Sequence, residues 1–131
     1  MSELRADTIT GSDGSSPVAL TKQSAAKAWV NVNGTGTIAI IDSDGVTSIS
    51  DNGTGDYSVT LTNSMSDADY ATVANSSRET DVFTTNIYTN NTTGAYVSAT
   101  SSTFRVACSK GYGLGAADSR SVNAVTHGDL A

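Results

Sequence analysis

The tetrapeptide Asn-Gly-Thr-Gly occurs twice, at residues 33–36 and 52–55. Asn-Gly between alternating apolar runs is the strongest short-range hairpin signal, because both residues tolerate positive φ. The second glycine of each copy fits a longer loop or a bulge. Apolar positions follow each copy, Ile38 and Ile40 after the first, Tyr57 and Val59 after the second. Two hairpin turns are the reading that fits. A phosphate-cradling loop would end in Lys-Ser or Lys-Thr and open a helix, and neither copy does so. The spacing between the copies is not continued, so they do not begin a solenoid.

Composition supports strands. Among 131 residues there are 19 Ser, 19 Thr, 9 Asn and 12 Gly with a single Pro. Ser, Thr and Asn compete for backbone hydrogen bonds and Gly costs entropy, which disfavours helix; Thr suits strands and the others suit turns. The length is that of one domain. The net charge is −6 and the seven basic residues are scattered. Nucleic-acid binding normally needs clustered Lys and Arg, so no nucleic-acid partner is expected. No apolar stretch reaches transmembrane length, and no membrane insertion is expected. The N-terminus shows no basic patch leading into an apolar run, so no secretory signal is read. The chain is expected to be made in the cytoplasm and to be soluble there.

Residues 1–24 carry sparse apolar points, Leu4, Ala6 and Ile9, in a turn-rich background. They read as an extended arm that could add as a strand to a neighbouring subunit. Residues 25–28 could make one helical turn, too short to hold alone. From there alternation predicts strand after strand. Val30 and Val32 oppose Trp29 and Asn31; Tyr57, Val59 and Leu61 share a face, as do Phe104, Val106 and Cys108. GVTSIS reads as a short strand, and ADYATVANS carries Tyr70 and Val73 without clean alternation. DVFTTNIYTN places Phe83 and Ile87 opposite Val82 and Tyr88, and GAYVSAT is a further strand. The segment from Gly111 to Ala131 reads as a Gly/Ala/Ser-rich tail with one late strand at RSVNAVT. The expected fold is all-β, an antiparallel β-sandwich or jelly-roll-like domain over residues 25–131 with the arm at 1–24. Trp29 is expected in the core, with a subunit interface as the alternative. Cys108 reads as a buried small hydrophobe.

Motifs that could carry chemistry weaken on inspection. Lys110 onward, KGYGLGAAD, matches a dinucleotide fingerprint through Gly111, Gly113 and Ala116, but too little chain follows for the helix, second strand and ribose-binding carboxylate; a mobile or subunit-contacting loop is expected. Asp42 to Gly45, and Asp67 with Asp69, resemble fragments of calcium loops without the remaining ligand spacing. His127, the one histidine, lies near the C-terminus, where chains fray, and no serine stands in a nucleophile elbow. Glu3 and Glu79 are the only glutamates. The sequons at Asn33, Asn52, Asn75, Asn90 and Asn91 are read as chance in a Ser/Thr-rich chain. No catalytic residue, cofactor or metal is expected.

Two stretches resemble structural proteins of tailed bacteriophages. The opening, with Leu4, Asp7, Ile9, Pro17 and Val18, resembles the start of small tail-fibre and virion proteins. Residues 26–73 resemble a module recurring in such proteins: Ala-Lys-Ala-Trp-Val-Asn, the first Asn-Gly-Thr-Gly, a Val-x-Ser-Ile step, the second Asn-Gly-Thr-Gly-x-Tyr and a closing Asp-x-x-Tyr. The resemblance implies a non-enzymatic virion component, commonly a homotrimer, displayed on the particle. A short tail-fibre or head-fibre-like protein is the leading expectation. In that expectation its arm would join it to other virion proteins, and contact of distal loops with a host-surface glycan is a further, weaker hypothesis. Tyr88, Tyr96, Tyr112 and Asn90 or Asn91 are the candidate glycan contacts, because aromatics and amides suit sugars. The alternatives are a capsid decoration (cement) protein without a receptor and, third, a tail-associated polysaccharide hydrolase or lyase.

Overall fold

A computed structural model describes residues 25–77, 84–87, 99–110 and 115–131. The arm therefore lies outside the described residues, as do Val82, Phe83, Tyr88, Asn90, Asn91, Tyr96 and Tyr112. The strands are β1 (Ala28–Asn33), β2 (Ala39–Asp44), β3 (Val46–Gly53), β4 (Asp56–Leu61), β5 (Ala71–Ser77), β6 (Thr84–Ile87), β7 (Thr103–Ser109) and β8 (Ser121–His127). They form two antiparallel sheets, ordered β2-β1-β8-β5 and β3-β4-β7-β6. Among the described residues there is no helix, so the helical turn envisaged at residues 25–28 is not formed; Ala28 already belongs to β1.

The core forms where the clean alternation lay. Val30 and Val32 of β1 and Val122 and Ala124 of β8 meet Tyr57, Val59 and Leu61 of β4 and Phe104, Val106 and Cys108 of β7. Each of these strands turns every second side chain inward, which is the packing unit of a two-layer sandwich. The two sheets are also joined covalently at one edge, because Gly45 alone separates β2 from β3. β2 and β3 thus make one continuous strip that leaves one sheet and enters the other. Hence GVTSIS is not a short strand: β3 runs for 8 residues.

Two further expectations change. Trp29 is not in the core; it is 37% exposed on the outer side of β1, where its alternation with Val30 puts it. The late strand forms as β8, and it is central: it pairs with β1 on one side and β5 on the other. His127 is held in that ladder opposite Ala71 and is not a frayed terminus.

Register gives the sandwich two distinct ends. Residues 34–38, the β3–β4 turn and residues 115–119 gather at one, the turn end. At the other, the arm end, Lys27 N–H donates to Thr126 O (2.8 Å), Thr62 N–H to Gly45 O (2.9 Å) and Met65 N–H to Ser101 O (2.7 Å). Met65 also bridges to Leu130, so residues 25–27 and the last residues of the chain sit at the same end.

Candidate functional site

Both Asn-Gly-Thr-Gly copies are hairpin turns. The first lies in the β1–β2 connection and the second joins β3 to β4. The copies belong to different sheets, yet they meet. The Tyr57 hydroxyl, just past the second copy, reaches Gly34 O of the first at 3.2 Å and Asp118 Oδ1 at 3.1 Å. The same Asp118 oxygen accepts the Gly55 N–H at 2.7 Å. Gly34 N–H donates to Ser119 O (2.9 Å), and Cys108 N–H to Gly55 O (2.8 Å).

Local chemistry explains why these residues are small. A Cβ on Gly34 would stand 2.6 Å from Tyr57 Cζ and 2.9 Å from Ser119 O. One on Gly55 would stand 2.5 Å from Cys108 O and 2.7 Å from Ala117 O, at a φ of 66° that already disfavours a side chain. The third party to the junction is residues 115–119, of which 115–118 close the stretch 110–118 that reads in sequence as a mobile or subunit-contacting loop. In the structure Ala117 and Ser119 are buried, and Ala117 N–H returns to Cys108 O at 3.1 Å. β8 follows with no helix, so the dinucleotide reading of residues 110–118 does not stand. Burial, reinforced by the neighbouring Asp118 carboxylate, raises the Tyr57 phenol well above its ordinary value.

Beside this junction lies an ion pair. Asp56 is buried and takes a two-pronged contact from Arg105, whose Nε lies 3.0 Å from Oδ1 while Nη2 meets Oδ2. Asn52 adds its amide to Asp56 Oδ1 (3.4 Å) and Ser58 Oγ (2.7 Å). A buried carboxylate held this way is a structural fixture.

At the arm end a groove of about 410 Å³ is lined by Ser66, Asp67, Asp69, Tyr70, His127 and Asp129, among others. The fold thus brings His127 to Asp67 and Asp69, residues with no apparent link in sequence. Asp67 Oδ1 is committed to its own turn, accepting Asp69 N–H at 2.9 Å. Asp42 Oδ1 likewise accepts Ser43 N–H (2.9 Å). Among the described residues no three His, Cys, Asp or Glu side chains are placed to hold a metal ion. The groove's chemistry is that of an anionic surface, suited to a cationic side chain.

Comparison with family models, with curated proteins and with solved structures returned no match.

Proposed function

We propose that this chain is a non-enzymatic structural protein of a tailed-bacteriophage particle, displayed on its surface as a short tail-fibre or head-fibre component. The observation that carries the reading is the polarity of the sandwich. The chain enters β1 at the arm end, after 27 preceding residues, and the two hairpin turns stand locked together at the other. A tethered arm and a rigid opposite tip suit a protein that is anchored at one end and presented at the other. The resemblance over residues 26–73 points the same way. Glycan contact by distal loops, through Tyr88, Tyr96, Tyr112 and Asn90 or Asn91, is the weaker part of this reading; these residues lie outside the described ones.

A capsid decoration protein is the second reading. It is favoured because the described residues form one squat sandwich with no stalk. Labelled antibody on intact particles separates the two. Label at the tail or on sparse head projections is the expected result. Label over the whole shell replaces it with the decoration reading, and unlabelled particles overturn both. Turnover of host polysaccharide by the purified chain would install the enzyme reading instead. Light scattering should give three times the 13.3 kDa of one chain.

A further inference from the structure

An Asn-Gly pair carries a chemistry of its own besides turning the chain. The glycine nitrogen can attack the asparagine Cγ, since glycine has no side chain to hinder the approach. The N–Cγ bond forms and the Cγ–Nδ2 bond breaks. Nδ2 leaves as ammonia, with the proton that the glycine N–H gives up. Water then opens the cyclic imide. Opening at Cγ leaves aspartate; opening at the asparagine main-chain carbonyl leaves isoaspartate, with the chain rerouted through Cβ and Cγ. Nothing is oxidised or reduced, and water is the only co-reactant.

Ring closure needs room for the glycine to move, a base for its proton, and access for water. The fold separates the two copies on these counts. Gly34 is closed in: an added Cβ would stand 2.6 Å from Tyr57 Cζ. Its N–H is committed to Ser119 O at 2.9 Å, a peptide carbonyl and a far weaker base than a carboxylate. The Asn33 amide is turned onto Thr35, whose N–H and hydroxyl both donate to Oδ1, at 3.0 and 2.7 Å. Gly53 instead has open space about it and lies at a register shift in the β3–β4 ladder. Its N–H donates to Asp51 Oδ1 at 2.9 Å. A carboxylate therefore already holds the proton that has to leave, at the distance a general base requires. Asn52 and Gly53 are both exposed, which admits water.

The consequence falls on the neighbouring ion pair. Asn52 Nδ2 donates to Ser58 Oγ (2.7 Å) and to Asp56 Oδ1 (3.4 Å), beside Arg105. Either product replaces this donor by a carboxylate, which only accepts and carries the same charge as the buried Asp56. Isoaspartate also adds a backbone atom to β3.

We propose that Asn52–Gly53 is a self-modification site. Asp51 draws off the Gly53 proton as the imide closes, and the isoaspartate or aspartate left behind loosens the β3–β4 side of the turn-end junction. The fold keeps Asn33–Gly34 from the same reaction.

Storage of the purified full chain at neutral pH, followed by peptide mass spectrometry at intervals, tests this. Isoaspartate and aspartate should accumulate at residue 52 while Asn33 stays intact. In urea, where both copies lose their surroundings, Asn33 should convert as well. Conversion of Asn33 as fast as Asn52 in the folded chain, or no conversion at Asn52, overturns the proposal. Asp51→Asn keeps an oxygen to accept the Gly53 N–H but removes the base. It should slow conversion at Asn52 about tenfold with an unchanged unfolding midpoint; an equal rate overturns the role of Asp51. Asp51→Ser, which also offers an oxygen, serves where the first variant shifts the midpoint. Asn52→Asp reproduces one product and should lower the unfolding midpoint; an unchanged midpoint overturns the loosening of the junction.

Discussion

The two Asn-Gly-Thr-Gly turns share a sequence and divide their work differently. In the first copy, close packing falls on Gly34, against Tyr57 and Ser119, while the left-handed residue is Gly36, with open space around it. In the second, Gly55 is both left-handed and pressed against the backbone of Cys108 and Ala117, and Gly53, at a φ of 130°, faces open space. The asparagines differ too. Asn33 folds onto its own turn, accepting Thr35 N–H at 3.0 Å, whereas Asn52 reaches out to Asp56 and Ser58. A short motif thus specifies that the chain turns; neighbours in space decide which of its glycines is irreplaceable.

Substitution can break that contrast. Gly55→Ala carries the largest expected effect, a loss of about 3 kcal/mol or more, because left-handed strain adds to clashes with backbone that cannot move; chemical denaturation reads it. Gly34→Ala should cost about 2 kcal/mol by driving into the buried Tyr57. Combining it with Tyr57→Phe should cost less than the sum of the two singles, since the phenylalanine removes one of the clashing atoms; full additivity would show that the tyrosine hydroxyl is not the obstacle.

Tyr57→Phe alone should cost about 1 kcal/mol at neutral pH, the worth of a shared hydrogen bond. Its sharper signature is alkaline. The folded-state phenol is raised above the ordinary value, so its stabilisation is complete below about pH 10. It is lost above that, as the unfolded chain ionises first. The variant should therefore lose stability less steeply above pH 10, and identical slopes would refute the assignment. Tyr70, raised by burial at the arm end, provides a residual slope of the same sign in both proteins. Smallest of all, Gly36→Ala should cost about 1 kcal/mol, and Gly36→Asn less, because asparagine tolerates the left-handed region.

Sequence periodicity exposed much of this architecture and little of its closure. β1, β4 and β7 were legible because Val30, Val59 and Val106 each sit in clean two-residue alternation, and the turns were legible from Asn-Gly. Trp29 misled because hydrophobicity speaks for burial, while its neighbour Asn31 on the same face spoke for exposure. β8 looked peripheral because its inward residues, Val122, Ala124 and Thr126, are small or polar, and pattern strength measures apolar contrast rather than position in a sheet. The junction at the turn end was not legible. Tyr57 and Asp118 are 61 residues apart, and nothing local to Asp118 and Ser119 says that the first will receive the β3–β4 hairpin and the second the β1–β2 hairpin. The arm-end groove is equally non-local, joining His127 to the segment before β5.

The centrality of β8 has a consequence for biosynthesis. The Thr126 hydroxyl reaches Ala28 O across 98 residues, so β1, the first of the described strands to be made, cannot find its inner neighbour until β8 has been synthesised. Until then β5 and β1 each lack the neighbour that β8 supplies between them. A nascent chain of this design should gain protease resistance only once β8 has emerged, and a ribosome stalled before codon 121 should yield an aggregating fragment rather than a smaller domain.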